Sequence, residues 1–398
     1  MKKKIEYILM LILFALSLIY TNSATNIIKK EEPIGYTTFN YPINHYTYGN
    51  GPYHVILIAG THASELISNV FLINFMKELS NGKINIDKNE YTIHFIPIVN
   101  PEGTIIVTSA IRNIIKNTDD ESKEQLACMT YYFNSKLEDD YAEKYNDKSI
   151  KLHQHMFRYA TPDIIDDKHK ELKEHIKYLI NKYNIPDGSL INWSSNGNGI
   201  DLNANIEFGE YLDKINNAKK NNQTLYNSSI TRLNTISCTT PGPLGCPTID
   251  FPFKEEPENT ALWNLYNNIK NNYKLIGGII YHSCGNVIYY LDEMKEYNPW
   301  NKLFSIDDIA YNKEVAKKYA EITNYKLGTP NTYTTMDAKI KSIVPGTLLV
   351  ELGGIRSTPL SQFIDYYPKS FYTETIELNT KAIPIVIEEM KKQYIRRK

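Results

Sequence analysis

The sequence predicts an α/β protein, a β-sheet flanked by helices. Short apolar runs of strand length recur along it, at 53–60, 91–99, 273–281 and 347–352. Longer stretches of helical character alternate with them, at 66–79, 164–183 and 256–269. With 398 residues, 42% of them hydrophobic, the chain can bury such a sheet in one large domain or two modest ones.

In chain order, the N-terminus comes first. Lys2, Lys3 and Lys4 precede an apolar run of 13 residues, Ile8 to Tyr20, which is short for a bilayer span. Thr21-Asn22-Ser23 offers small residues for cleavage, so residues 1–23 are assigned to a signal peptide and 24–398 to a single domain. An uncleaved signal anchor is the alternative. Pro33 to Gly51, rich in Tyr, Asn and turn residues, is expected to form edge strands. The first central strand follows, closed by Gly60, and Glu65 is placed to open the helix after it. Asn100-Pro101-Glu102-Gly103, after the second strand, reads by itself as a turn.

Residues 104–190 are expected to hold a helical insertion, with an amphipathic helix from Ile164 to Tyr183 that Asp163 would cap. His153 and His155 could share a strand face as metal donors, although isolated histidine pairs usually sit on surfaces. Ile191 to Asn205 is polar and amide-rich, the composition of a loop, and 213–229 reads as a solvated excursion. Glu256-Pro257-Glu258 is a helix start, because proline suits the orphan N–H groups and the acids suit the dipole.

Bulk properties exclude some partners. The chain has 44 basic and 45 acidic residues and a net charge of −1, which argues for neither a nucleic-acid surface nor an anionic membrane. Past the signal, no stretch is apolar enough to cross a bilayer. Four cysteines fit a secretory route and a secreted product. Cys238 and Cys246 flank a Pro/Gly-rich turn and could close a small loop, while Cys128 and Cys284 are free or paired. Asn192, Asn222 and Asn227 sit in glycosylation sequons, usable only in a eukaryotic secretory pathway.

The chemistry concentrates where strands stop. His62 and Glu65 lie about one helical turn apart beyond the first strand, so both side chains can point at one object. An imidazole nitrogen and a carboxylate oxygen are donors that zinc accepts, and a catalytic zinc needs a third protein ligand. His282 terminates the third strand just as His62 follows the first, and such strand ends gather at one edge of an open α/β sheet. Glu351 stands among apolar residues in the last strand, where a buried acid is costly unless it is paired or faces a site.

Together these stretches resemble, in sequence order from Ile34 to the C-terminal helix, the zinc carboxypeptidases of the carboxypeptidase A family, the funnelins. His62-x-x-Glu65 and His282-Ser283 look like that family's ligand motifs. Asn100-Pro101-Glu102-Gly103 is similar to its Asn-Pro-Asp-Gly, and Asp201-Leu202-Asn203-Ala204-Asn205 to its Asp-Leu-Asn-Arg-Asn. Phe253 to Glu258 resembles its Ser-Glu-Pro-Glu-Thr, and Val350-Glu351-Leu352-Gly353 the strand bearing its catalytic glutamate. The resemblance implies a carboxypeptidase-like fold with a twisted mixed sheet of about eight strands and helices on both faces. It implies one zinc per chain on His62, Glu65 and His282, a peptide or protein substrate, and Glu351 as general base.

The departures bear on specificity. The family grips the substrate's terminal carboxylate with arginines, yet Ala204 stands where one is expected and Trp193 to Asn198 contains no Arg or Lys. Asn203 remains as a donor, and Asn196 or Asn198 would be a neutral substitute. Tyr333 is matched to the family tyrosine near the substrate. Asp337 lies 14 residues before Glu351 (351 − 337), the family spacing, which puts Met336 in the side-chain pocket and implies an apolar preference. The expectation is a secreted zinc-dependent metallopeptidase of altered specificity. The alternatives are a catalytically impaired zinc-containing peptide-binding module, or an amidohydrolase of the aspartoacylase type.

Overall fold

The computed structural model describes residues 28–117, 161–183, 190, 193–206, 254–283, 285–291, 305–328, 335–353 and 369–397. The signal segment, the four cysteines, the three sequon asparagines, His153, His155 and Tyr333 lie outside them. The described strands are β1 (Lys29–Lys30), β2 (Gly35–Tyr36), β3 (Pro42–Ile43), β4 (Tyr46–Tyr48), β5 (Tyr53–Ala59), β6 (Tyr91–Ile96), β7 (Lys274–His282), β8 (Val287–Tyr289), β9 (Lys326–Gly328) and β10 (Thr347–Glu351). The helices are α1 (Leu66–Ser80), α2 (Pro101–Asn117), α3 (Lys170–Tyr183), α4 (Pro257–Asn272), α5 (Ile306–Thr323), α6 (Met336–Ile343) and α7 (Lys369–Arg396). Among these residues, no helix is long and apolar enough to cross a membrane.

Eight strands form one mixed sheet in the order β1-β4-β6-β5-β7-β10-β8-β9, and β2 pairs β3 separately. The central four, β6, β5, β7 and β10, are parallel, so their C-terminal ends share one edge. Their alternation sets the layers. Val55 and Leu57 point into a core with Phe71 and Phe75 of α1, Val315 of α5 and Ile387 of α7. Ile56 and Ile58 point the other way, against Leu262 and Tyr266 of α4 and Ile340 of α6.

Two local expectations change and one helix is added. Asn100–Gly103 is the start of α2 and not a free-standing turn: Asn100 Oδ1 accepts from Gly103 N at 2.9 Å, and Pro101 occupies the first turn. The amphipathic helix begins at Lys170, after short 3-10 turns at Pro162–Ile164 and Asp167–His169, and Asp166 supplies the side-chain cap by accepting from Lys168 N. Leu172, Ile176 and Leu179 still make its buried stripe. Helix α5 was not expected, although Ser305 and Asp308 form a capping box at its start.

One feature of the sheet has an acid consequence. His45 Nε2 meets His94 Nδ1 at 3.0 Å, and His94 Nε2 meets His54 Nδ1 at 2.9 Å, so three buried imidazoles bond in series, from the residue just before β4 through β6 to β5. Tyr273 stacks on His54 at 4.2 Å. Burial pushes His45 and His54 down to about 4 and His94 well below its ordinary value. The unfolded chain takes up protons on these rings from roughly pH 6.5 downward, and the folded chain does not until about 4. Stability therefore falls as pH drops from 6.5 to 4, by a few kcal/mol on the order of the linked proton uptake. The melting temperature is expected to drop across that window, and His54→Gln to make the drop shallower. An unchanged slope would locate the acid lability elsewhere.

Candidate metal centre

The strand-to-helix turn after β5 delivers the first donors. Gly60 ends the strand at φ 69°, where a Cβ would meet the Asn69 amide at 2.7 Å, so only glycine suits the turn. Its N–H donates to Ser68 Oγ, and Asn100 Nδ2 donates to Thr61 O, which fixes the turn to α1 and α2. Glu65 is the N-cap residue of α1, yet its carboxylate makes no cap bond and turns to the imidazoles. His62 Nδ1 lies 2.7 Å from Glu65 Oε1, and His282 Nδ1 lies 2.8 Å from Glu65 Oε2. Ser283 N–H also donates to Oε2, at 3.1 Å.

The two rings stand 4.8 Å apart, edge to face. One donor atom from each of His62, Glu65 and His282 lies within 4.8 Å of the others, the only such cluster among the described residues. A cation bound at about 2.0–2.2 Å from each fits between atoms so spaced. The donor set is chemically apt: two imidazoles present the same nitrogen, Nδ1, to one carboxylate. Asp201 Oδ1 sits 3.0 Å from the outer nitrogen of His62, fixing that ring as an outer carboxylate fixes a metal-bound histidine. His282 Nε2 is buried with no partner among the described residues.

Electrostatics follow from this crowding. Burial pushes His62 down, but Glu65 and Asp201 outweigh it and hold the ring well above its ordinary value. Burial likewise opposes ionisation of Glu65, yet His62 and His282 hold it at about 2. Glu351, at the end of β10, pairs in register with His282 on one side and Val287 on the other. Burial, then the Glu65 charge, push its carboxyl up to about 7 against the pull of His282 and His62. A divalent cation on the donors would pull it down again.

The remaining sequence-predicted residues divide. Met336 is fully buried at the start of α6, its sulfur 3.9 Å from Thr61 Oγ1 and so beside the His62 turn. Asn203 accepts from Met336 N through its backbone oxygen at 2.8 Å and Oδ1 at 3.2 Å, leaving its amide nitrogen without a partner among the described residues. Tyr333 is outside the described residues. Ala204 is buried. Asn196 and Asn198 do not substitute for an arginine: both amides donate to Glu256 Oε2 at 2.8 Å. Asp201 received no role from the sequence, although it lies in a quoted motif. An acid four residues before a polar loop ends gives no local sign of the ring it meets.

An open sheet with two imidazoles and a carboxylate converging at the C-terminal ends of its parallel strands has the layout of a mononuclear metal site. Residues 33–384 match the family model described as zinc carboxypeptidase, and the chain belongs to that family. Among solved structures, bovine thrombin-activatable fibrinolysis inhibitor in complex with tick carboxypeptidase inhibitor shares 14% identity. That match covers 92% of this chain and 91% of that chain, with a TM-score of 0.50. Carboxypeptidase A from Helicoverpa armigera shares 11% identity over 92% of this chain and 69% of that one, also with a TM-score of 0.50. These likenesses are of fold. No curated protein sequence matches the chain.

Proposed function

We propose that this chain is a zinc-dependent metallopeptidase, secreted through the signal at residues 1–23, that hydrolyses peptide or amide bonds with altered specificity. The observation that carries the reading is the convergence of His62, Glu65 and His282 with Glu351 in register beside His282. The three donors would hold one zinc, which when bound would supply Lewis acidity to a water and to the scissile carbonyl. Glu351 takes the attacking water's proton and delivers it to the leaving amine. Asn203 offers its free amide N–H to the substrate, Tyr333 is assigned to substrate binding by the family resemblance alone, and Met336 lines an apolar side-chain pocket.

Lack of a guanidinium at Ala204, with Asn196 and Asn198 committed to Glu256, favours substrates without a free terminal carboxylate. Amidated, blocked or internal peptides fit that description. Metal analysis combined with digestion of a peptide library tests the reading. One zinc per chain and chelator-sensitive cleavage are expected. A zinc-loaded protein with Glu351 intact that cleaves nothing would make it an impaired binding module, and turnover of N-acyl amino acids alone would make it an amidohydrolase.

Ala204→Arg supplies the missing cation. Cleavage of free-carboxylate peptides relative to their amides should rise about tenfold or more, the value of one charge-assisted hydrogen bond. The ratio of kcat/KM for the two peptide forms, with folding checked by circular dichroism, measures this. No change in a folded variant means the pocket differs at more than this residue.

A further inference from the structure

The loop that presents Asp201 is held by buried carboxyl groups from two helix starts. Glu102, fully buried in the first turn of α2, accepts from Phe39 N at 2.8 Å through Oε1 and from Gly197 N at 3.0 Å through Oε2. A Cβ on Gly197 would lie 2.2 Å from that oxygen, so the close approach needs glycine. Glu256, the N-cap of α4, accepts both Asn196 and Asn198 amides at 2.8 Å, and its N–H donates to Asn205 Oδ1 at 2.8 Å. Asn259 Nδ2, one turn further, donates to the carbonyls of Leu202 and Asn205. Asn196 Oδ1 closes the loop on itself, accepting from Asn198 N and Ile200 N at 3.0 Å. Asp201 follows directly, its Oδ1 shared between Asn203 N and His62 Nε2.

Glu258 stands beside these groups. It is fully buried, its Oε1 accepts from Asn196 Nδ2 at 3.3 Å, its own backbone N–H also donates to the carboxyl, and its Oε2 has no partner among the described residues. No lysine or arginine pairs with Glu102, Glu256 or Glu258 among the described residues. Three buried charges without a cation are costly, and a neutral acid at the position with fewest donors removes one of them.

We propose that Glu102 and Glu256 are positioning residues of the metal centre: they clamp the 196–205 loop so that Asp201 meets His62 Nε2, and through that bond they set zinc affinity. This rests on the zinc reading above. Burial, then the charges of Glu102 and Glu256, push the Glu258 carboxyl up to about 8, consistent with a proton there at neutral pH. On the Glu102 side stands Tyr41, whose phenol is pushed up by burial and by the charges of Glu102 and Glu171 and which bonds His169 Nδ1, and Glu255 adjoins Glu256.

Zinc dissociation constants of the full chain, measured by chelator competition, test it. Outer partners of metal ligands are worth about 10–100-fold in affinity. Asp201→Asn and Glu256→Ala should each weaken zinc by that much. The double variant should be little weaker than Asp201→Asn alone, because Glu256 acts through Asp201. Glu102→Gln should shift in the same direction, since a carboxamide oxygen can accept only one of the two backbone N–H groups. Glu258→Gln should bind zinc like wild type. If Glu256→Ala fails to fold by circular dichroism, the cycle is run with Glu102→Gln in its place. Full additivity with Asp201→Asn, unchanged zinc affinity in the folded clamp variants, or a loss at Glu258→Gln equal to that at Glu256→Ala would each overturn the clamp. A wild-type chain that binds no zinc would overturn the metallopeptidase reading itself, and the clamp with it.

Discussion

Glu351→Gln is expected to slow peptide hydrolysis by about 10²–10⁴-fold while zinc content and melting temperature stay near wild type. Glutamine keeps the shape of the side chain and one acceptor oxygen, so the end of β10 and its pairing with His282 should survive. What it cannot do is accept a proton. The wild-type carboxylate can, and it stands in register with His282 at the end of β10, beside the donors. Single-turnover rates on a cleaved library peptide, beside metal analysis of the same preparation, separate lost chemistry from a lost ion. Equal rates in the two proteins would mean that another group moves the proton.

His282→Ala should have the larger effect on metal. It removes one of three converging donors, so the loss in zinc affinity should exceed the 10–100-fold typical of an outer partner. The chain should lose its zinc to a chelator concentration at which wild type stays loaded. His282 is also nearly fully buried at the end of a central strand, so the variant leaves a cavity and its folding must be checked. His54→Gln, at the opposite end of β5 from the donors, is the control: it alters a buried histidine without touching the site and should leave zinc affinity unchanged. A folded His282→Ala that still holds zinc as wild type does would remove His282 from the ligand set.

Much of the fold was legible because its signals are local. The central strands β5, β6, β7 and β10 are apolar runs, and α1 and α4 follow the turns that the sequence marks. Helix α2 was missed although Asn100 and Pro101 announce it, because Pro and Gly also punctuate turns and the two readings compete over four residues. The short edge strands β8 and β9, three residues each, carry too little pattern to stand out.

The donor triad was legible for a similar reason. A histidine or acid at the end of an apolar run can be seen in one dimension, and parallel strands bring their ends to one edge. The partners of those donors are another matter. Asp201 meets His62 across 139 residues, Asn196 meets Glu256 across 60, and His94 joins His45 and His54 across 49 and 40. From sequence, Asn196 and Asn198 were candidates for the substrate; the packed loop turns both onto Glu256.

What the sequence determined by itself was the central strands, helices α1 and α4 and the identity of the residues at the strand ends, because periodicity and turn chemistry act within a few residues. What only the tertiary structure decided was which polar groups those residues meet. A buried donor or acceptor must find its partner wherever the fold supplies one, and that choice is made by packing between distant segments, not by neighbours in the chain.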